Sequence, residues 1–187
     1  MTEPWPDQSP SGGSEGWEEL SRTTVYAAYG RSVVEARYRL PSGEQATFSL
    51  REDRPSVAVL AVTTAGEVLV TRQFRPGPGQ FLFELPGGYV DANETPLNAA
   101  ERELMEETGY GGDIEVVGHC FADAYSSSMK FCAVGRACAP RSRPDPEGTE
   151  FIEVLSVRPQ LLRELLRAGN VTDVDLAYMG LDALGLL

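Results

Sequence analysis

The chain has 187 residues, a hydrophobic content of 42% and a formal net charge of −12 at pH 7. This length fits one globular domain with a modest addition, and the hydrophobic content is sufficient for a core. Because nucleic-acid binding needs a basic surface, the negative charge argues against a nucleic-acid partner, and any phosphate-bearing ligand would require local positive charge.

The numbers of cysteines and histidines and the lengths of the apolar runs argue against several further classes of protein. The three cysteines have no C-x-x-C spacing, which disfavours a zinc centre or a disulfide framework. The single histidine, His119, argues against a histidine-rich metal site and is predicted to be structural. No apolar run approaches a membrane span, and the first sixteen residues lack the basic and apolar regions of a signal peptide. We therefore expect a cytoplasmic protein with no membrane partner.

The first part of the chain divides into a tail and a β-rich segment. Residues 1–15 are rich in proline, serine, glycine and acidic residues, and we expect a disordered tail. Residues 16–52 contain three runs typical of β-strands, at Thr23–Tyr29, Val33–Leu40 and Gln45–Leu50. They predict a small antiparallel β unit that precedes a main domain at residues 53–187.

The main domain begins with a near-continuous apolar run, Ser56–Thr63, which is typical of a strand buried on both faces. Ala65-Gly66 predicts a turn into a second strand, Val68–Phe74, so that the two form a hairpin. A third strand is predicted at Phe81–Leu85, and a Gly87-Gly88 loop follows it.

The next element is a predicted helix, Pro96–Thr108, that concentrates negative charge. Residues three and four apart are neighbours on a helix surface, so Glu103, Glu106 and Glu107 present three carboxylates on one side. Because like charges repel at this spacing and hard oxygen donors suit Mg²⁺ or Mn²⁺, the cluster predicts a divalent-metal site. The alternative is a solvated acidic helix face.

The residues around this helix favour the metal-site interpretation. The Gly87-Gly88 loop would let a backbone carbonyl approach a cation, since glycine has no side chain. Asn93–Pro96 supply capping chemistry, and Gly109 ends the helix. An apolar stripe is predicted opposite the acidic face, formed by Leu97, Ala100 and Leu104.

Downstream of the helix, strands and helices follow one another. Strands are predicted at Ile114–Phe121, Lys130–Cys138 and Phe151–Val157, a proline-rich loop at Ala139–Thr149, and helices at Gln160–Ala168 and Val174–Leu184. Strands on both sides of one central helix, with helices at the end, indicate an α/β fold in which helices sandwich a mixed sheet.

The segment from Gly88 to Tyr110 resembles a Nudix box, whose pattern is G-x5-E-x7-R-E-U-x-E-E-x-G-U with U a bulky aliphatic residue. The fixed positions are all filled, by Gly88, Glu94, Arg102, Glu103, Glu106, Glu107 and Gly109. Leu104 fills the first U, and Tyr110 at the last U is a mild departure. The resemblance implies a Nudix α/β/α sandwich and a metal-dependent hydrolase of nucleoside diphosphates linked to another moiety.

Roles within the site follow from the carboxylates and their neighbours. Glu103 and Glu107 are the first-choice metal ligands, Glu106 is their partner, and the Gly87 carbonyl could complete the site. Glu106 and Glu107 are also the candidate catalytic carboxylates. Arg102 is also predicted to belong to the catalytic site, where it would orient the glutamates.

The family resemblance also implies a loop glutamate that acts as the catalytic base. In related enzymes this residue lies just before a strand like FIEVLSV, which begins at Phe151 here. Glu150 is therefore the first candidate, with Glu147 and Glu153 as alternatives. A solvent-exposed loop glutamate without function is the competing interpretation.

Substrate residues are suggested by TRQFRPGPGQFLFELPGG, from Thr71 to Gly88, which resembles the stretch before the box in ADP-ribose pyrophosphatases and related sugar-nucleotide hydrolases. Arg75 matches an arginine that contacts the diphosphate, and a guanidinium suits bidentate phosphate contact. Glu84 matches an acid that helps to shape the site. The alternative for Arg75 is a surface arginine at a strand end.

The N-terminal β unit resembles the same subfamily, in which it exchanges between two subunits and its aromatic residues stack on the adenine. The resemblance implies a homodimer with Trp17 as the adenine-binding candidate and Tyr29 as a weaker one. Ordinary aromatic packing is the alternative for Trp17.

One departure concerns the segment DAYSSSMKF, in which Tyr125 and Ser126 stand where ADP-ribose enzymes usually carry a proline. A tyrosine near this place is found in dinucleoside polyphosphate hydrolases, so Tyr125 is a substrate-binding candidate. The leading hypothesis is hydrolysis of ADP-ribose to AMP and ribose 5-phosphate. Another sugar nucleotide, a dinucleoside polyphosphate, a pathway-specific diphosphate or a non-catalytic nucleotide-sensing role are the alternatives.

Overall fold

A computed structural model describes residues 16–146 and 151–187. Within these residues the chain forms two compact units. The first contains the residues up to Asp53 together with Tyr125–Ser127, and the second contains Arg54–Ala124 and Ser128–Leu187. The predicted tail at residues 1–15 lies outside the described residues. The assignment of domains to residues 16–52 and 53–187 stays a prediction.

The first unit contains a three-stranded antiparallel sheet in the order β1 (Glu18–Ala28), β2 (Arg31–Arg39) and β3 (Gln45–Arg51). The three predicted strands are confirmed. Tyr29 and Gly30 connect β1 to β2 with φ angles of 53° and 74°. Two consecutive positive φ angles are typical of the tight turns that join twisted antiparallel strands.

The second unit contains seven strands and three helices among the described residues. The strands are β4 (Ser56–Thr63), β5 (Val68–Arg75), β6 (Gln80–Glu84), β7 (Gly87–Tyr89), β8 (Tyr110–Phe121), β9 (Met129–Pro140) and β10 (Glu153–Val157). The helices are α1 (Pro96–Thr108), α2 (Pro159–Arg167) and α3 (Val174–Ala183). The main path of the sheet is β10-β5-β4-β9-β8, with β6 paired to β5 and β7 to β4. Only the pairing of β4 with β9 is parallel among the described strands, so the sheet is mixed, as predicted.

Strand β4 lies between two hydrophobic cores, which explains its continuous apolar run. Val57, Val59 and Ala61 pack on the side of α1, in a cluster that includes Ala100 and Leu104. Ala58 and Leu60 pack on the opposite side, in a cluster with residues of α2 and α3, namely Leu162, Leu176, Ala177 and Leu181. Because successive side chains of a strand point to opposite faces, both faces of β4 must be apolar. The predicted sandwich of helices around the sheet is confirmed.

Helix α1 begins and ends as its capping residues predict. The Thr95 side chain accepts a hydrogen bond from the Asn98 N–H at 3.2 Å, and Gly109 has a φ of 73° with its N–H donating to the Met105 carbonyl. The predicted apolar stripe needs two corrections. Leu97, in the first turn, is exposed and Ala99 is buried instead. Glu107 is also buried, so the acidic and apolar faces overlap.

Several strand boundaries also differ from the sequence prediction, most clearly at β7, β8 and β9. Residues Gly87–Tyr89, predicted as part of a loop, form β7 and pair with β4 opposite Ala58, Val57 and Ser56. A Cβ atom at Gly87 would overlap the Val57 carbonyl, so this pairing requires glycine. Strands β8 and β9 extend to a pairing of Tyr110 with Pro140, which shortens the predicted proline-rich loop at its start. Cross-strand pairing has here extended the strands beyond their local sequence signal.

His119 lies on β8 opposite Phe131, with the ring centroids 5.9 Å apart, as predicted for a structural histidine. Cys132 and Cys138 are buried and Cys120 is partly buried. Among the described residues, no helix is both long and apolar enough to span a bilayer.

Candidate active site

The glutamates of α1 lie at different depths against strand β7. Glu107 is 3% exposed, and its carboxylate accepts a hydrogen bond from the Gly87 N–H at 3.0 Å. The Glu103 carboxylate lies so close to Gly88 that a Cβ atom there would overlap it. Glu106 is the most exposed of the three. The absence of side chains at Gly87 and Gly88 therefore lets the helix bring two carboxylates against the strand backbone.

Arg102 connects this helix to the segment before it. Its Nε and Nη2 donate to the two carboxylate oxygens of Glu94, each at 2.9 Å. Its Nη1 donates to Glu103 at 2.8 Å and to Glu106 at 3.1 Å. Its Nη2 also donates to the Tyr89 carbonyl at 3.0 Å. One guanidinium therefore fixes carboxylates and backbone together, which is the geometry of an orienting residue.

The charges around Arg102 reinforce one another. The hydrogen bond with Arg102 holds the pKa of Glu94 below its ordinary value. The hydrogen bond with Glu94, followed by the interactions with Glu103 and Glu106, raises the pKa of Arg102 further above its already high value. Arg102 therefore stays protonated and cannot act as a proton acceptor at any ordinary pH.

The carboxylates of α1 are the residues that would hold the predicted divalent cation. Glu103, Glu106 and Glu107 supply hard carboxylate oxygens at helical spacing, which suits Mg²⁺ or Mn²⁺ in ligand type. Within residues 16–146 and 151–187, however, no three acidic, histidine or cysteine side chains are gathered closely enough to hold an ion. The side-chain rotamers explain this, because Glu103 and Glu106 are turned towards Arg102 and Glu107 towards Gly87. The residues fit the cation in ligand type, and their role as ligands stays a prediction.

Arg75 and Glu84 are brought together by the β5–β6 hairpin. The Arg75 Nε donates to one oxygen of Glu84 at 2.6 Å and its Nη2 donates to the other. Glu84 is 4% exposed, and its carboxylate also accepts a hydrogen bond from the Gln73 amide at 3.4 Å. This bidentate pair presents a rigidly held guanidinium at the partly exposed end of the hairpin. Contact of either residue with substrate stays a prediction.

Two predicted substrate residues belong to the first unit. Trp17 packs against Tyr38 and Phe48, with both ring-centroid distances 6.2 Å, and it remains partly exposed. Tyr125 is exposed, and its carbonyl accepts a hydrogen bond from the Arg51 N–H at 2.8 Å. Ordinary aromatic packing, the alternative interpretation of Trp17, therefore explains the part of its ring that contacts Tyr38 and Phe48. The substrate roles of both residues stay predictions.

The predicted catalytic base, Glu150, and its alternative Glu147 lie outside the described residues. The third candidate, Glu153, is on β10 and forms an ion pair with Arg72 at 3.0 Å. The described part of the preceding loop packs against the end of α1, where the Asp145 N–H donates to the Glu106 carbonyl at 2.8 Å. The loop is therefore anchored at the helix that carries the candidate metal ligands.

Two residues of the site had no assigned role in the sequence interpretation. Gln73 is buried and binds Glu84, and its spacing of two from Arg75 places both on one face of β5. Glu94 was recognised as a fixed position of the box, but its partnership with Arg102 came from the structure. Strand alternation could have identified Gln73, whereas no local signal pairs Glu94 with Arg102.

Comparisons with known proteins agree with this geometry. A family model for the NUDIX domain matches residues 52–173. The ADP-ribose pyrophosphatase of Bacillus subtilis (strain 168) is 27% identical over 142 residues, covering 74% of this chain and 77% of that protein. The ADP-sugar pyrophosphatase of Mus musculus is 32% identical over 159 residues, covering 77% of this chain and 69% of that protein.

A solved structure supports the fold. The crystal structure of an ADP compounds hydrolase superposes with a TM-score of 0.74 at 21% sequence identity, covering 95% of this chain and 100% of that one. The family model spans most of the chain, and its range includes the acidic helix, the glycines of β7 and the Arg75–Glu84 pair. The chain therefore belongs to the Nudix family of hydrolases.

Proposed function

We propose that this protein hydrolyses the pyrophosphate bond of ADP-ribose, with a divalent cation, to give AMP and ribose 5-phosphate. The observation that carries the proposal is the arrangement around Arg102, which holds the acidic face of α1 against β7. The names of the two curated relatives, an ADP-ribose and an ADP-sugar pyrophosphatase, favour this substrate class.

Glu103, Glu106 and Glu107, with the Gly87 carbonyl, would hold Mg²⁺ or Mn²⁺, which neutralises phosphoryl oxygens and lowers the pKa of a bound water. Glu107 is fixed by Gly87, while Glu106 is the most exposed of the three carboxylates. Arg102 limits the orientations of Glu103 and Glu106 before substrate arrives. Such preorganisation lowers the cost of assembling the site.

The reaction places an oxygen from water on one phosphorus of the diphosphate. The bond between that phosphorus and the bridging oxygen breaks, and the bridging oxygen leaves with the other phosphate group. The attacking water loses one proton, for which we propose Glu150 as acceptor, with Glu147 and Glu153 as alternatives. We propose that Arg75, fixed by Glu84, binds the diphosphate oxygens and offsets the negative charge of the protein.

Tyr125 and Ser126 favour a second candidate function. They replace the proline expected for ADP-ribose enzymes, and Tyr125 is exposed. A dinucleoside polyphosphate, another sugar nucleotide or a pathway-specific diphosphate would then be the substrate of the same site. A nucleotide-sensing protein without turnover is the alternative of another class.

We also propose that the protein is a cytoplasmic homodimer in which Trp17 contacts the adenine of the substrate. Sedimentation velocity would test the dimer.

The first experiment is a substrate panel. Purified protein is incubated with ADP-ribose, GDP-mannose and diadenosine polyphosphates, with and without Mg²⁺ or Mn²⁺, and products are identified by chromatography. We expect metal-dependent release of AMP and ribose 5-phosphate from ADP-ribose. Preference for a diadenosine polyphosphate would support the second candidate. Absence of product from every compound would end the proposal.

The matched variants are Glu106→Gln and Glu107→Gln, with Glu101→Gln as the control. Glu101 is an exposed glutamate on the same helix, so this change alters charge without touching the proposed site. We expect kcat to fall at least about 100-fold in the first two and to change little in the control. A folded Glu106→Gln protein with full activity would contradict the proposed role of Glu106.

A further inference from the structure

We propose that Arg54 is a positioning residue for the metal-binding helix and acts on Arg102 through the segment Tyr89–Asp91. This inference rests on the proposed function. Arg54 lies outside the Nudix box, two residues before β4. Its ion pair is with Asp91 and not with a carboxylate of α1, so its effect on those carboxylates must pass through neighbouring groups.

Arg54 contacts both ends of the segment Tyr89–Asp91, which begins at the last residue of β7. Its guanidinium carbon lies 4.7 Å from the centroid of the Tyr89 ring, in a cation–π arrangement. Its Nη1 forms an ion pair with the Asp91 carboxylate at 2.9 Å. The backbone between them is fixed to the same region, since the Val90 N–H donates to the Pro55 carbonyl at 2.9 Å. The Arg54 side chain therefore holds this segment in place by contacting the side chains of both Tyr89 and Asp91.

Both residues that Arg54 contacts are bound to the network of Arg102. The carbonyl of Tyr89 accepts a hydrogen bond from Arg102 at 3.0 Å. The N–H of Asp91 donates at 3.1 Å to the Glu94 carboxylate, which itself forms the bidentate pair with Arg102. A displacement of Tyr89–Asp91 would therefore move two of the groups that set the position of the Arg102 guanidinium.

The position of Arg102 controls the carboxylates in turn, because its Nη1 is shared between Glu103 and Glu106. Outer partners of metal ligands typically change metal affinity 10–100-fold when they are removed. Arg54 is one contact further away, so we expect a smaller effect, about threefold to tenfold on the dissociation constant of Mn²⁺. The KM for substrate should change little, since Arg54 has no proposed contact with substrate.

The chain offers a closely matched control for this test. The Arg54–Asp91 ion pair measures 2.9 Å with side chains 47% and 62% exposed. The Arg136–Glu115 ion pair measures 2.8 Å with side chains 44% and 60% exposed, and it joins β8 to β9. Arg54→Gln and Arg136→Gln remove the same charge from equally exposed pairs, so a purely structural or global electrostatic effect would be the same in both.

The experiment measures Mn²⁺ binding by titration calorimetry without substrate, and kcat and KM for ADP-ribose across Mn²⁺ concentrations. We expect Arg54→Gln to weaken Mn²⁺ binding and lower kcat at limiting Mn²⁺, with KM unchanged, while Arg136→Gln stays within about twofold of the parent protein. Arg54→Lys should restore part of the Mn²⁺ affinity, because it keeps the charge over the ring. Equal effects in Arg54→Gln and Arg136→Gln would overturn the proposal, as would a raised KM with unchanged Mn²⁺ binding.

A second variant tests the route through Tyr89. Tyr89→Leu removes the ring but leaves the carbonyl, so it should reproduce part of the loss of Mn²⁺ affinity seen in Arg54→Gln, which also removes the ion pair with Asp91. The double variant should be no worse than Arg54→Gln alone, because Arg54→Gln already removes the contact with the Tyr89 ring. Additive losses would contradict the proposed route. If the parent protein binds Mn²⁺ but hydrolyses no substrate, the proposed function fails while the binding measurements still decide the role of Arg54.

Discussion

Two buried carboxyl groups, those of Glu84 and Glu107, show how single acidic residues of this protein find partners inside the fold. An ionised carboxylate is costly to bury unless hydrogen-bond donors or an opposite charge surround it. Glu84 has Arg75 and Gln73 as partners, and Glu107 has the Gly87 N–H. Both carboxylates are thus held in fixed positions, which is what a substrate or metal site requires.

Arg75→Gln tests this arrangement at the residue scale. The variant leaves Glu84 buried without its opposite charge, so we expect a loss of about 2 kcal/mol in the free energy of unfolding. The double variant Arg75→Gln/Glu84→Gln removes both charges and should recover most of that loss. Urea unfolding monitored by circular dichroism provides the measurement. A double variant no more stable than Arg75→Gln would show that the pair does not act as a unit.

At the scale of elements, helix α1 is held in place by contacts along its acidic side and at its last turn. Strand β7 covers its acidic side, and residues Arg141–Asp145 pack against its last turn. The N–H groups of Arg141 and Ser142 both donate to the Gly109 carbonyl, at 2.8 and 3.1 Å. A helix end leaves carbonyl groups unpaired, and the loop satisfies one of those just beyond it.

Gly109→Ala and Gly169→Ala distinguish two reasons for a glycine at a helix end. One is its tolerance of a positive φ angle, and the other is the absence of a Cβ atom where the chain is crowded. Both residues have a φ of 73°, but a Cβ at Gly109 would overlap the Ser142 carbonyl, whereas nothing lies within 4 Å of a Cβ at Gly169. We expect Gly169→Ala to cost about 1 kcal/mol from backbone strain alone. Gly109→Ala should cost about 2–3 kcal/mol, because steric overlap is added to that strain.

Equilibrium unfolding in urea measures both glycine variants, and hydrogen exchange of the last turn of α1 locates the effect. Equal losses for the two variants would mean that the Arg141–Asp145 segment does not press on the helix end. In that case the loop would not be anchored at α1 as the hydrogen bonds indicate.

At the scale of the whole molecule, the two units are stabilised by different interactions. The second unit has two apolar cores on either side of its sheet. The strands of the first unit are mostly exposed, and polar contacts are prominent in it. Glu19 accepts hydrogen bonds from Arg22 at 2.7 Å and from the Tyr38 hydroxyl at 2.6 Å. The stability of the first unit should therefore depend on pH.

Glu19 determines that the first unit should lose stability at acid pH. The hydrogen bond with Arg22, and then that with Tyr38, lowers the pKa of Glu19 from 4.5 to about 2. A carboxyl group with a depressed folded-state pKa stabilises the fold above its unfolded pKa, and this contribution is lost as pH falls towards the folded value. The stabilisation from Glu19 should therefore be complete above pH 4.5 and disappear between pH 4.5 and about 2.

Acid titration of the parent protein and of Glu19→Gln tests this prediction. Trp17 reports on the first unit by fluorescence, provided that Trp5 is replaced by phenylalanine. The difference in stability between the two proteins should be constant near neutral pH and shrink below pH 4.5. A difference that stays constant to pH 2 would contradict the role of Glu19.

Elements with a strong local signal were predictable from the sequence. Helix α1 has a capping threonine, a proline in its first turn and a terminal glycine, and its bounds agree with the prediction. Strand β4 was recognisable from its apolar run. Strand β7 was not, because three residues containing two glycines have little strand propensity, and their pairing with β4 depends on residues thirty positions earlier.

The sequence by itself determined the Nudix family, the acid set of α1 and the order of strands and helices apart from β7, since these depend on residue identity and spacing within short windows. Only the tertiary structure decided which charges meet: Arg75 with Glu84, Arg102 with Glu94, and Arg54 with Tyr89 and Asp91. These partners come from separate elements, and an ion pair leaves no periodic trace in the sequence. The physical reason is that hydrophobic periodicity is repeated along an element, whereas a single polar contact depends on the final packing of several elements.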